Sequence, residues 1–439
     1  MSCLDITTSF GLSTTIDVRA REGGGDMAEP FLNITEFHHA VAANLATGSS
    51  HLAKIEVSNL SWIGSQYGET AVATSMRGLH ELLAELFDGV TVGRVSTSLL
   101  GITAPGSVDG KDFLARLERL RTDINRRHTM PYLVEVAVGY VYANQRASSE
   151  VSVWIEAANV ALIESVRRRR LVAYSAQLED MQFLRVHVSR LAAKNEAPMG
   201  MYWVFQPVID LATGDVVFSE ALIRWYLDGF GDVAPDQFIP LAEDLDVVET
   251  IDRWTVMNAV ALLSGIPAEQ RIPISVNVSA RTFSEQRGLA SFVVEKLRQF
   301  GVAGESLIVE LTESAAIDDI GHLSRELNTL AEVGVRMAID DFGKGQTNLF
   351  TLASLPVAVL KLDRTLFDLQ DPERMAQMLS VGVGLGHTIG ARVLAEGIET
   401  PAQREAAVEA GVDYAQGWLI GEAVSELPTR ALRGELPTP

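Results

Sequence analysis

Seven polar residues, Glu220, Asn277, Glu310, Asp340, Lys361, Glu396 and Gln416, each close a short apolar run in the C-terminal part of this 439-residue chain. The runs are "VVFSEAL", "PISVNVS", "SLIVELTES", "RMAIDDFG", "VAVLKLD", "RVLAEGIET" and "YAQGWLIG". Asp340 is followed at once by Asp341. Two carboxylates that close repel each other, and one is forced neutral unless a cation sits between them. Carboxylate and amide oxygens without Cys or His select hard divalent ions, Mg2+ or Mn2+, over zinc. Two such ions, ~3.5–4 Å apart, clamp the attacking and leaving oxygens of a phosphoryl displacement. The doublet therefore reads as a dinuclear cradle in which Asp340 bridges and Asp341 holds the second ion. Adjacent strand residues face opposite sides, so Asp341 joins Asp340 only if the strand has already ended, with "FGKGQ" supplying the bend.

Taken singly, each of these residues is explained as well by capping or by a surface position; Asn277 alone would be a turn residue. Their joint recurrence at strand ends is what argues for a metal site. Lys361 stays charged among carboxylates and can orient a nucleophilic water or stabilise phosphate charge. A Schiff-base lysine is the rival role, but it prefers an apolar pocket that lowers its pKa.

The elements that must position these groups follow from the spacing. From Asn277 onward the polar residues recur at intervals of 33, 30, 21, 35 and 20, which fit a strand, a helix and two short loops. Repeated βα units over roughly 230 residues predict an α/β fold with a (β/α)8-type barrel, whose strands open their carboxyl ends onto one common mouth.

Upstream, helical and strand patterns alternate over residues 31–174 as an α+β domain. "FHHAVAANL", "GETAVATSMRGLHELLAELF", "DFLARLERLRTDINRR" and "SEVSVWIEAANVALIESV" read as helices; "HLAKIEVSN" and "YLVEVAVGYVYA" read as strands, and "VTVGRVSTSLLGITA" as a hairpin. Residues 175–200 form a helical connector ending in a Pro/Gly break, and 201–439 the barrel domain. Residues 1–30 have no sustained period and read as a disordered tail, with Met27 an alternative start.

Lys and Arg number 36 against 57 Asp and Glu, a net charge of −21. Such a surface repels polymeric nucleic acid and anionic membrane, while a local ion or arginine cluster still admits a small anion. The one basic run, Arg167 to Arg170, reads as a solvated helix end. No apolar run reaches the ~18 residues of a membrane span, and the first residues lack the basic start of a signal peptide. With Cys3 the sole cysteine, a disulfide framework is excluded. The cytoplasm is the expected compartment.

The ordered motifs "FQPV", "EALIRW", "FIPLAE", "VNVS", "ELTE", "DDFG", "LKLD", "AEGIET" and "QGW" span residues 201–425 and resemble the EAL domain family. The resemblance implies a modified TIM barrel that linearises cyclic di-GMP to pGpG with two Mg2+ or Mn2+ ions. It implies metal ligands at Glu220, Asn277, Glu310, Asp340 and Asp341, Lys361 and Glu396 around the nucleophilic water, and Glu399 and Gln416 in support. Glu313 would brace the loop after the aspartates. Gln206 and Arg224 look like substrate contacts, the guanidinium offering a fork that matches phosphate. The chain departs from the family pattern at Lys344 to Leu349 and at Ala423, where a proline is usual.

The N-terminal domain resembles a degenerate GGDEF domain, through "QYGE" and "IEAANVALIESVRRRRLVAYS". Its signature position reads Ser96-Thr97-Ser98-Leu99-Leu100, without the acidic metal ligand; Glu56 alone stands near the usual metal aspartate, and the upstream inhibitory Arg-x-x-Asp is missing. The expected activity is thus a metal-dependent cyclic-dinucleotide phosphodiesterase, with the N-terminal domain as regulator. A homodimer and GTP as regulatory nucleotide are implied by resemblance. The alternative is a non-catalytic cyclic di-GMP receptor; a Schiff-base aldolase using Lys361 is a remote third reading.

Overall fold

The computed structural model describes residues 31–47, 50–87, 90–126, 132–142, 150–194, 199–283, 288–312, 319–343, 349–369 and 371–427. The N-terminal tail, Glu313 and the Lys344 to Asn348 segment lie outside the described residues. The internal contacts divide the chain into one unit up to Phe183 and another from Leu184.

The first unit runs α1 (Ile34–Ala46), β1 (Ser50–Val57), α2 (Leu60–Tyr67), α3 (Glu69–Leu86), β2 (Thr91–Arg94), β3 (Leu99–Pro105), α4 (Gly110–Asp123), β4 (Val136–Val141), α5 (Val151–Arg168), β5 (Val172–Ala173) and α6 (Ala176–Lys194), the last crossing the boundary. The short α2 has too few turns for a periodic signal and is absent from the sequence reading, whereas β5 falls in the stretch that resembles a closing helix and strand. The sheet order is β2-β3-β1-β4-β5, with β5 alone joined in parallel.

Alternation along β1 sorts its residues between two cores. Ala53, Ile55 and Val57 pack with Leu79, Leu83 and Phe113 of α3 and α4, whereas Leu52 packs with Phe37 and Trp154 of α1 and α5. One transverse row of the sheet reads Gly93, Gly101, Lys54, Gly139. These glycines admit close neighbours: the Phe37 ring lies on Gly93 and Gly101, and a Cβ on Gly139 would stand 2.1 Å from the Leu162 backbone nitrogen. Between them Lys54 is buried, its Nζ donating to Asn159 Oδ1; burial pulls its pKa down, with Glu156 opposing.

The second unit runs β6 (Met201–Asp210), β7 (Val216–Leu227), β8 (Gly231–Val233), α7 (Pro235–Asp244), α8 (Val248–Ser264), β9 (Ile274–Asn277), α9 (Leu289–Phe300), β10 (Leu307–Thr312), α10 (Ile320–Glu332), β11 (Arg336–Phe342), α11 (Leu349–Ser354), β12 (Val357–Leu362), α12 (Pro372–Thr388), β13 (Arg392–Ala395), α13 (Pro401–Glu409) and β14 (Tyr414–Ala415). Strands β6, β7 and β9–β14 close an eight-stranded barrel through the β6–β7 and β6–β14 pairings, and β8 lies on the free edge of β7. The α/β barrel expected from the repeat is therefore present, with one difference. Strand β6 is antiparallel to both neighbours, because it is joined to β7 by a tight turn and not by a crossover helix.

The barrel interior is layered. Val208, Phe218, Ile308, Ala338, Val359 and Leu394 form an apolar floor against Tyr414. With a side-chain period of two, the residues two positions further toward the mouth are Gln206, Glu220, Glu310, Asp340, Lys361, Glu396 and Gln416. The outer faces of the strands pack on the helices through Ile274, Val309, Ile339, Leu360 and Val393. No helix among the described residues is long and apolar enough to cross a membrane.

Candidate active site

Lys361 is the centre of the polar layer and has no exposed surface. Its Nζ lies 2.6 Å from Glu310 Oε2, 2.8 Å from Glu396 Oε1, 3.0 Å from Asp340 Oδ1 and 3.3 Å from Glu220 Oε2. Asn277 Nδ2 donates to Glu220 Oε1 at 2.9 Å, and Gln416 Nε2 donates to Glu220 Oε2 at 2.8 Å and to Gln206 Oε1 at 3.1 Å. Gln206 stands opposite Glu220 in the β6–β7 register; the reversed strand thus brings its side chain to the mouth from mid-strand.

The aspartate doublet is solved differently from the sequence expectation. The strand does not end before Asp341: β11 continues through Phe342. A register shift against β12 falls between Ile339 and Phe342, and Asp341 takes a left-handed φ of 57°. The Asp341 N–H donates to Asp340 Oδ1 at 2.9 Å. An irregularity in the ladder, and not the following glycines, turns both carboxylates to one side; such a conformation is uncommon outside glycine and tolerated best by Asn and Asp.

Two sets of carboxylate oxygens result. Glu220, Glu310 and Asp340 offer oxygens all within 4.8 Å of one another, Asp340, Asp341 and Glu396 do the same, and Asp340 belongs to both. One ammonium cannot neutralise so many carboxylates. Burial and the charge of Glu220 push the Glu310 carboxyl up to about 8, although Lys361 opposes them. Burial also pushes Glu396 up to about 8, with Lys361 opposing and Asp340 adding to the rise. Burial would lower the Lys361 pKa, but Asp340, Glu220, Glu310 and Glu396 together hold it well above the ordinary lysine value. Glu310 Oε1 and Gln416 Oε1 are buried with no hydrogen-bond partner among the described residues. Unpaired acceptors and surplus negative charge in an all-oxygen setting fit hard divalent cations.

The remaining predicted residues are placed less centrally. Arg224 lies four residues past Glu220 on the same face of β7, and its guanidinium donates to Ile223 O at 2.9 Å. Glu399 is exposed on the turn after β13, where its backbone N–H donates to Gln403 Oε1 at 2.8 Å. No hydrogen bond or ion pair among the described residues ties the Glu399 carboxylate to the mouth.

Sequence reasoning missed the groups that fix the loop after Asn277. Asp252 on α8, almost fully buried, accepts from Ser279 N at 3.2 Å and Thr282 Oγ1 at 2.5 Å, and Glu243 accepts from Ser279 Oγ at 2.6 Å. The signal was available: Asp252 shares the buried face of α8 with Ile251, Thr255 and Val256, where an acid needs a partner.

A barrel with one reversed strand and a carboxylate mouth built round a lysine defines the class, and the comparison with known families agrees. Residues 194–423 match the EAL domain, and the chain belongs to this family. The bifunctional diguanylate cyclase/cyclic di-GMP phosphodiesterase MucR of Pseudomonas aeruginosa is 35% identical over 222 residues, 49% of this chain and 32% of MucR. A second cyclic di-GMP phosphodiesterase of P. aeruginosa is 34% identical over 229 residues, 51% of this chain and 38% of that protein. The solved MucR phosphodiesterase in complex with c-di-GMP is 33% identical and covers 55% of this chain and 97% of its own, with a TM-score of 0.49. The chain spans between 26% and 38% of the length of the curated relatives it matches.

Proposed function

We propose that this chain hydrolyses one phosphodiester of cyclic di-GMP to give pGpG. The observation that carries the reading is the pair of carboxylate sets sharing Asp340 around Lys361. Glu220, Asn277, Glu310 and Asp340 would hold one divalent ion, and Asp340 and Asp341 the other, with the Glu396 carboxylate beside them, Mg2+ or Mn2+ being the ions this donor set suits. Bound there, such ions lower the pKa of water and neutralise charge on the phosphate. The protein side of the reaction rests on four residues. Lys361 supplies a permanent positive charge beneath the phosphate. Glu396, partly exposed at the rim, accepts the proton of the attacking water. Gln206 and Arg224 orient the dinucleotide. A new bond from the water oxygen to phosphorus forms as one P–O bond of the ring breaks, leaving a terminal phosphate and a free hydroxyl.

The N-terminal unit fits a degenerate GGDEF-like regulator. Its signature position falls at the β2–β3 hairpin, where Ser96 N donates to Leu99 O at 3.1 Å and Ser96, Thr97 and Ser98 provide no carboxylate. Control through GTP and a homodimer belong to the same proposal. Liquid chromatography of the purified chain with cyclic di-GMP and Mn2+ tests the reading. Appearance of pGpG that is lost in Glu220→Ala supports it, and intact substrate after long incubation rejects it. Binding measured by calorimetry without turnover in either metal would select the receptor reading instead.

A further inference from the structure

The segment Gln416 to Gly421 leaves the barrel as an arch with both feet tied to the mouth. At one foot, the Gln416 side chain donates to Glu220 and Gln206; at the other, Gly421 O accepts from Gln206 Nε2 at 3.2 Å. Between them the backbone is fixed. Ile398 N donates to Gln416 O, Leu419 N donates to Ile398 O, and Ile420 and Gly421 both donate to Gly417 O, all at 3.0 Å. Gly417 is required at this bend, because a Cβ there would come within 2.2 Å of the Ile398 backbone nitrogen.

The crown of this rigid arch carries Trp418, which is 73% exposed. Its indole has no hydrogen-bond or ring partner among the described residues. It lies two positions past Gln416, at most ~7 Å along the chain. A large aromatic ring left in water on a fixed support beside a phosphodiester site offers what a nucleobase needs: a flat face for stacking. The geometry points to Trp418 as a stacking platform for one guanine of the dinucleotide, setting affinity without taking part in bond breaking. This rests on the function proposed above.

Base–aromatic stacking is worth ~1–3 kcal/mol per base, equivalent to roughly a 5- to 150-fold change in affinity. The test uses the full chain, with Trp418→Ala and Trp418→Phe, and cyclic di-GMP as the probe. Calorimetric Kd and KM are expected to rise at least fivefold in the alanine variant, with the loss appearing in KM rather than kcat. The phenylalanine variant is expected to recover most of the affinity. Mn2+ affinity should match the wild type in both, which shows an intact mouth, and ligand-induced quenching of exposed indole fluorescence should disappear in both. Unchanged Kd and KM in Trp418→Ala, with a wild type that binds or hydrolyses the dinucleotide, overturns this inference alone. A wild type that neither binds nor hydrolyses it overturns the proposed function and the platform together.

Discussion

Replacing Lys361 by methionine keeps the length of the buried stem and removes the one ammonium paired, among the described residues, with four carboxylates. Even with the lysine present, moving Glu310 from 4.5 to about 8 corresponds to ~5 kcal/mol of disfavoured ionisation at ~1.36 kcal/mol per pH unit. Removing one partner of a buried ion pair costs about 3–5 kcal/mol unless the survivors take up protons. The sign with pH follows from the direction of the shift. A carboxyl raised in the folded state binds more protons folded than unfolded between 4.5 and about 8, so metal-free stability falls as pH rises through that window. At pH 6 Glu310 and Glu396 are already mostly protonated, and the lysine has less charge to oppose. In chelator, urea unfolding of the barrel should show Lys361→Met less stable than wild type by ~3–5 kcal/mol at pH 8 and by under about half of that at pH 6. Saturating Mn2+ should narrow the gap, because an ion that binds only the folded state adds stability by mass action. A variant as stable as wild type at pH 8 in chelator, or a gap independent of pH, would refute the reasoning.

Asp341→Gly should gain up to about 1 kcal/mol in chelator by relieving the left-handed backbone, yet lose at least ~10-fold in Mn2+ affinity measured by calorimetry. Asp413, just before β14, is tied to β13 through Val393 N at 2.8 Å and Arg392 at 2.6 Å, and to α12 through His387 at 2.8 Å. Burial raises the Asp413 pKa, but these donors win and hold it below the ordinary aspartate value. Its contribution is therefore present above the unfolded carboxyl pKa and lost as pH falls through the depressed one. Asp413→Asn should cost ~1–2 kcal/mol at pH 7, with the difference vanishing in acid titrations of stability. Gly139→Ala should destabilise the N-terminal unit by ~1–3 kcal/mol in urea, since its Cβ meets backbone rather than a movable side chain, while Mn2+ affinity stays unchanged.

Much of the barrel was legible because its interior is written at a period of two. Val359 before Lys361, Ile308 before Glu310 and Leu394 before Glu396 each place an apolar residue beneath a polar one. What was not legible depends on partners distant in the chain. Alternation along "FQPV" is the same whichever way the strand runs, so the reversal of β6 could not be read from it. The left-handed turn at Asp341 comes from its pairing with β12, and no local pattern marks it. Glu399 shares the "AEGIET" run with Glu396, yet the turn at Gly397, with φ 68°, carries it to the exposed side. Asp252 interrupts the apolar face of α8 and so was readable as a buried acid, but its partners Ser279 and Thr282 lie in a distant loop that no local pattern marks.

The layer formed by Val208, Phe218, Ile308, Ala338, Val359 and Leu394 makes the barrel a blind well. That floor closes the far end, so under the hydrolysis proposed above reactant, water and departing fragments would share a single doorway. A cycle of the proposed hydrolysis would be sequential: the well would have to empty upward before it filled again, and a ligand slow to leave would block its own successor.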